Sequence, residues 1–250
     1  AAKRAAIKLR IGTSHRIFHW WTCNDMVKLG RKNSNLHEAQ LNLQLLKPLK
    51  IKTNYSLHEL PQFYGWQTAH EQDFHEILQK DKFNLILHTK SKGSAREWPM
   101  KNYYMLAIKL QKLPFNIILT GTKEEGELIE KECPELLKLE NIKNLTGTLS
   151  LSSFVDFIIN ADGLIACSTG PLHIAAASGI FSLGLYPPEK PMHPGRWGPI
   201  GRNATYLVKD ISCSGCKKSG NCLCLNEISP ETVLFKILEW TNLHNTKVSG

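Results

Sequence analysis

Between residues 166 and 179 the chain reads ACSTGPLHIAAASG, and few local structures accommodate that order of residues. The apolar run Gly163–Cys167 predicts a buried strand, which Ser168, Thr169 and Gly170 break. Pro171 falls where a first helical residue belongs, because its missing N–H would have no partner there. Leu172, His173 and the small residues Ala175, Ala176 and Ala177 continue as a tightly packed helix, and Gly179 stops it. A strand, a small-residue turn and a helix start leave several backbone N–H groups aimed at one spot. The helix dipole adds to them, so this turn can hold an anion such as a diphosphate.

The surrounding sequence alternates as a parallel α/β sheet requires. Phe83–His88, Phe115–Thr120, Gly163–Cys167 and Phe181–Tyr186 are predicted strands. Residues 99–110, 124–133, 152–160 and 230–240 are predicted helices, with Phe154, Phe157 and Ile158 turned inward. The Pro/Gly-rich segment 187–201 is too long to be only a connector and is expected to shape a site. Nearer the start, residues 8–11 are a predicted strand. Asn35 and Glu38 have capping-box spacing ahead of a helix with Leu36, Ala39, Leu43 and Leu46 on one face, ended by Pro48. The aromatic-rich segment 61–68 is expected to join two halves.

Four segments, in order, resemble one known family. They are Arg10-Ile11-Gly12-Thr13 with His19-Trp20 and Leu36-His37-Glu38-Ala39-Gln40-Leu41-Asn42-Leu43; Leu87-His88-Thr89-Lys90 through Arg96-Glu97-Trp98-Pro99; Thr120-Gly121-Thr122-Lys123-Glu124-Glu125; and Ser168-Thr169-Gly170-Pro171-Leu172-His173. This pattern is similar to that of the ADP-heptose:lipopolysaccharide heptosyltransferases, glycosyltransferase family nine, and covers most of residues 7–208. The last motif usually reads D-T-G-x-x-H, so Ser168 departs from it and the role of that carboxylate does not carry over. The resemblance implies a GT-B-type α/β fold: a Rossmann-like parallel sheet binding the donor, and an incomplete first Rossmann-like half. Residues 1–66 would be the remnant of the acceptor domain with its linker, and residues 67–250 the nucleotide-sugar-binding domain. The family's glycine-containing loop and its proposed catalytic carboxylate would lie before Ala1, leaving the general base unassigned and about a third of a family member absent.

Ligands of open α/β sheets bind at the carboxyl ends of the strands. The loops there supply Ser91, Lys92, Gly93, Ser94 and Arg96 after one strand, Glu125 after the next, and Ser168, Thr169, Gly170 and His173 after the third. Gly93 would let backbone approach phosphate, and Arg96, by its place before Trp98-Pro99, would stabilise the leaving diphosphate. The resemblance makes Glu125 a ribose ligand, while its spacing from Thr122 equally suits a capping box. His173 can donate to phosphate or bond into the core. The implied reaction is inverting glycosyl transfer from an ADP-heptose-like nucleotide sugar to a lipopolysaccharide core or similar glycolipid acceptor, with no metal required. His37 and Glu38 are read as a helix start.

The net charge of +9 suits an acidic partner: a nucleotide diphosphate, a phosphorylated glycolipid or an anionic membrane surface. Its cations are scattered, which disfavours nucleic acid, although a non-catalytic nucleotide- or nucleic-acid-binding module is the alternative reading. No apolar run of about eighteen residues predicts a membrane span. No apolar signal core marks the first residues, and cysteine usage outside one cluster suits a reducing compartment. A cytoplasmic location is expected, peripheral to the inner face of the inner membrane. Cys213, Cys216, Cys222 and Cys224 form a compact cluster that can hold a structural zinc in the tail segment 213–224.

Overall fold

The computed structural model describes residues 1–31, 34–65, 73–209 and 223–248. In chain order the elements are β1 (Ile11–Thr13), α1 (Ile17–Thr22), β2 (Asp25–Val27), α2 (Glu38–Gln44), β3 (Phe83–His88), α3 (Met100–Leu110), β4 (Phe115–Thr120) and α4 (Lys123–Glu132). There follow β5 (Ile142–Asn144), α5 (Leu151–Asn160), β6 (Gly163–Cys167), α6 (Gly170–Ser178), β7 (Phe181–Tyr186), α7 (Pro194–Trp197), β8 (Ala204–Val208), α8 (Leu223–Asn226) and α9 (Pro230–Val248). Short 3-10 turns cover Lys47–Leu49, Leu57–Phe63 and Leu136–Lys138.

Strands β3–β8 form one parallel sheet in the order β5-β4-β3-β6-β7-β8, and β1 pairs with β2 in a separate parallel ribbon. This six-stranded order is the doubly wound one, and its direction of winding reverses between β3 and β6. Central strands β3, β4, β6 and β7 are buried along their whole length. Alternate residues feed two cores. Phe83, Leu85 and Leu87 of β3 join Ile117, Ile165 and Leu183 under α3 and α9. Ile86 joins Ile118, Leu164 and Leu172 under α5 and α6. Such two-sided burial accounts for the continuous apolar runs by which these strands were predicted.

The first half differs more from expectation. The strand expected at 8–11 begins only at Ile11, where pairing with Asp25 starts. The capping box lies two residues later than the predicted Asn35/Glu38 pair: His37 Nδ1 accepts from Ala39 N–H at 3.1 Å, and Gln40 Oε1 accepts from His37 N–H at 3.0 Å. The buried face of α2 rotates accordingly onto His37, Leu41 and Gln44, leaving Leu36 exposed. Gln44 is drawn inward because its amide donates to Thr53 O and Asn54 Oδ1. The expected boundary at 66/67 falls outside the described residues. Strands β2, β5 and β8 and helices α1, α7 and α8 have no counterpart in the sequence-based expectation, and α9 runs on past the expected end at 240.

Trp98 ties the loop after β3 to the α9 side of the molecule. Its indole donates to Ile228 O at 2.8 Å, its ring meets Tyr103 edge-on, and it is almost wholly buried. We expect Trp98→Ala to lower the unfolding free energy by about 3–5 kcal/mol, the range for emptying a buried aromatic site. Urea unfolding checks this, and an unchanged midpoint would refute it.

Candidate functional site

Register sets the height of three loops. His88, the last residue of β3, pairs with Thr120 of β4 and with Ala166 of β6, so the chain leaves all three strands at nearly one level. Two hollows open above them. The first, about 570 Å³, is bordered by Ser91, Lys92 and Ser94, by residues 120–125, and by Thr169, Gly170 and Pro171. Leu145, Leu149, Leu151 and Phe154 give it an apolar side. The second, about 330 Å³, lies between Ala95, Arg96, Ser168 and His173 on one side and Pro187, Met192 and Trp197 on the other. Ser94, Thr169 and Gly170 border both and form their common wall.

Arg96 and Glu125 therefore stand in adjacent hollows, with Thr169-Gly170 between them. Helix α6 starts at Gly170, one residue before the expected Pro171, and first-turn N–H groups have no partner within a helix. Thr169 is its N-cap residue, yet its side chain does not cap. Its Oγ1 is buried and has no hydrogen-bond partner among the described residues. A buried hydroxyl left in that state is costly, and it sits where an anion on the helix start would be.

Glu125 is buried and closes a capping box: Oε2 accepts from Thr122 N–H at 2.8 Å, and Glu125 N–H donates to Thr122 Oγ1 at 3.3 Å. Oε1 carries no hydrogen bond among the described residues, so capping and ligand contact are compatible. The amino end of α4 packs onto the turn at Gly147, where a φ of +75° and the 2.9 Å at which an added Cβ would meet Lys123 Cα require glycine. His88 ends β3 beside these loops, a place that sequence pattern alone does not mark as part of the site. Its Nδ1 is 3.1 Å from Thr120 Oγ1 and its ring stacks on Phe154 at 5.8 Å between centroids. Phe154 turns inward as expected: it is partly buried against the second core and also borders the first hollow.

Other residues of the loop after β3 have structural work. Ser91 N–H and Oγ both donate to Glu97 Oε1 at 2.8 Å. Lys90 is buried between Glu132 at 2.6 Å and Glu97 at 3.4 Å. Lys92 is exposed, 4.0 Å from Glu124. Gly93 borders neither hollow: it faces a separate recess with Lys90, Glu97 and Glu132. Its φ of +77° meets the demand of the turn.

The segment 187–201 does shape the site, and it does so from a foothold on the first half. Arg196 Nη2 lies 2.9 Å from Glu38, which also holds Arg31 at 2.6 Å. His37 Nε2 is 2.9 Å from Gly198 O, and Tyr64 OH donates to Ile200 O at 3.0 Å. These contacts hold α7, and with it Trp197, against the second hollow. The helix-start reading of His37 is correct, and its outer nitrogen serves this clamp as well.

Cys213, Cys216 and Cys222 lie outside the described residues. Cys224 is buried in the larger core. Among the described residues no helix is long and apolar enough to cross a membrane.

With this geometry in place, residues 2–225 match the family model described as glycosyltransferase family 9 (heptosyltransferase). The chain belongs to that family. It is 27% identical over 216 residues to a lipooligosaccharide heptosyltransferase 2 of Campylobacter jejuni, covering 82% of this chain and 66% of the relative. It is 31% identical over 156 residues to a lipooligosaccharide heptosyltransferase 2 of Haemophilus influenzae, covering 59% and 44%. Among solved structures, the ADP-heptose lipopolysaccharide heptosyltransferase II of E. coli superposes with a TM-score of 0.70 at 20% identity, covering 98% of this chain and 73% of that one. That likeness establishes the GT-B-type fold. The chain spans about half to two thirds of the length of the curated relatives it matches.

Burial pushes the imidazoles of His37, His88 and His173 below the ordinary histidine value, and for His173 the neighbouring His37 acts in the same direction. Each therefore binds its proton more tightly in the unfolded chain. Their contribution to stability is complete above about pH 6.5 and is lost as pH falls through the lowered values. We expect the thermal midpoint to drop by several degrees between about pH 6.5 and 5. A flat midpoint across that window would contradict the assignment.

Proposed function

We propose that this chain binds the nucleotide sugar of a heptosyltransferase and transfers a heptose, or a closely related sugar, to a lipopolysaccharide core-type glycolipid. Residues 67–250 form the donor side and residues 1–66 belong to the acceptor side. The single observation that carries the reading is the buried, unpartnered Thr169 hydroxyl at the uncapped start of α6, with Arg96 and Glu125 in the hollows on either side.

The nucleoside occupies the first hollow. Glu125 Oε1 accepts from the ribose hydroxyls, and Phe154 with Leu149 gives the base an apolar face. The diphosphate crosses the common wall, taking hydrogen bonds from Thr169 Oγ1 and from the first turn of α6, where the dipole favours negative charge. The sugar enters the second hollow, between Arg96, His173 and Trp197. His173 is neutral there at neutral pH and donates one N–H.

The acceptor hydroxyl attacks the anomeric carbon from the side opposite the diphosphate. The bond from that carbon to the diphosphate oxygen breaks with inversion, and the leaving group departs with the electron pair. Arg96 and the start of α6 stabilise the charge that accumulates on it, so this reading routes no step through a metal. The acceptor proton goes to a general base that is assigned to no residue of this chain. The glycolipid acceptor places the protein at the cytoplasmic face of the inner membrane.

Calorimetric titration with ADP tests the donor site. Arg96→Ala is expected to weaken ADP binding by about 10–100-fold, the value of a charge-assisted contact to phosphate. Glu125→Gln keeps a capping oxygen and is expected to lose about ten-fold, with little change in thermal midpoint. Unchanged ADP affinity in both variants would overturn the proposal.

A further inference from the structure

We infer that His88 reads the ribose of the nucleotide by giving its Nε2–H to one of the hydroxyl oxygens. His88 is buried, yet it borders the first hollow together with Thr120, Glu125 and Phe154. Parallel pairing sets His88 beside Thr120, and this brings Nδ1 to 3.1 Å from Thr120 Oγ1. The ring lies against Phe154 with 28° between the two planes. One nitrogen is therefore committed to the neighbouring strand, and the plane of the ring is held. Nε2 carries no hydrogen bond among the described residues and is left to meet whatever fills the hollow.

Burial holds this imidazole below the ordinary histidine value, against the opposite pull of Glu125 and Glu97. The ring is therefore neutral at neutral pH and has a single N–H, on either Nδ1 or Nε2. Thr120 decides which. Its hydroxyl is buried, and among the described residues Oγ1 has no hydrogen-bond partner besides His88 Nδ1. With the proton on Nδ1, the Thr120 O–H would be a buried donor with no acceptor, which is the costlier arrangement. With the proton on Nε2, Thr120 donates to Nδ1 and no buried donor is wasted. The strand pairing thus turns the outer nitrogen into a fixed, uncharged donor.

A donor placed there requires an acceptor, and the same hollow selects among acceptors. Glu125 borders it with Oε2 held by Thr122 and Oε1 unengaged. A hydroxyl can give its proton to Oε1 while it takes one from Nε2. A phosphate oxygen has no proton to give at neutral pH and would be repelled by the carboxylate. A neutral donor beside a carboxylate therefore matches both ends of one hydroxyl group. It also rejects a nucleotide that lacks this hydroxyl, because two buried groups of the protein would then lose their partner. The inference rests on the donor-site reading above, in which Glu125 takes the ribose, and adds the residue that makes recognition two-sided.

Titration of the whole chain with ADP, 2′-deoxy-ADP and 3′-deoxy-ADP tests it. Wild type is expected to bind ADP about ten-fold or more tightly than at least one of the two analogues. His88→Phe with Thr120→Val keeps an aromatic ring and removes both partners of the buried bond, so neither is orphaned. This double variant is expected to lose about 3–10-fold for ADP and nothing for the analogue that lacks the paired hydroxyl. His88→Gln, whose amide nitrogen comes to the Nε2 position, is expected to keep most of the discrimination that His88→Asn loses. Without any ligand, a long-range proton–nitrogen NMR spectrum at neutral pH is expected to show His88 protonated on Nε2 and bare on Nδ1. A proton on Nδ1 overturns the inference. So does a loss shared alike by ADP and both analogues, which would put His88 on a phosphate or in the scaffold. Unchanged discrimination in the double variant overturns it and leaves the donor-site reading intact, whereas a wild type that binds no ADP overturns both.

Discussion

The parallel pairing of β3 with both β4 and β6 is the constraint from which the candidate site follows. Because β6 lies beside β3, helices after the two strands go to opposite faces of the sheet, and a crevice opens where the winding reverses. Loops from β3 and β6 then meet above the pairing of His88 with Ala166. Small residues maintain the approach: a side chain at Gly184 would strike the Tyr186 ring and meet Leu172 at 2.9 Å. With α6 held that close to the sheet, its start is fixed at the mouth of the crevice.

Capping and ligand binding are handled differently at the two helix starts of the site. Thr122 and Glu125 satisfy one another at the start of α4, which holds that carboxylate still with one oxygen spare. At α6 the cap residue, Thr169, leaves its own helix unserved. The first arrangement lends stability and orientation together. The second gives up a contribution of about 1 kcal/mol, typical for a missing cap, at the point where a phosphate would restore it.

Much of this was legible in the sequence, for identifiable reasons. The four central strands match expectation to the residue, because burial on both faces produces unbroken apolar runs with abrupt polar ends. Edge strands carry no such signal: β5 is Ile-Lys-Asn, and Tyr206 and Val208 of β8 are exposed. In α2 the buried face includes His37 and Gln44, whose polar partners are far away in sequence or in a loop, so counting leucines selected the wrong face. At the site, Arg96, Glu125, Ser168, Thr169 and His173 reach the two hollows because strand ends dictate their loops. Gly93 does not, since the side chain of Glu97 folds the loop back on Ser91 and turns the glycine away. The stack of His88 on Phe154 depends on packing between elements 66 residues apart, which local pattern does not encode.

Glu38 sits between Arg31, on its own side of the molecule, and Arg196, on the other. Trp197 follows Arg196 directly and walls the second hollow, so the width of that hollow is tied to the spacing of the two halves. Any hinge movement that parts them must either break the Glu38–Arg196 pair or carry the indole outward. Access to the sugar compartment and separation of the halves are thereby mechanically one event, with a single carboxylate as the coupling.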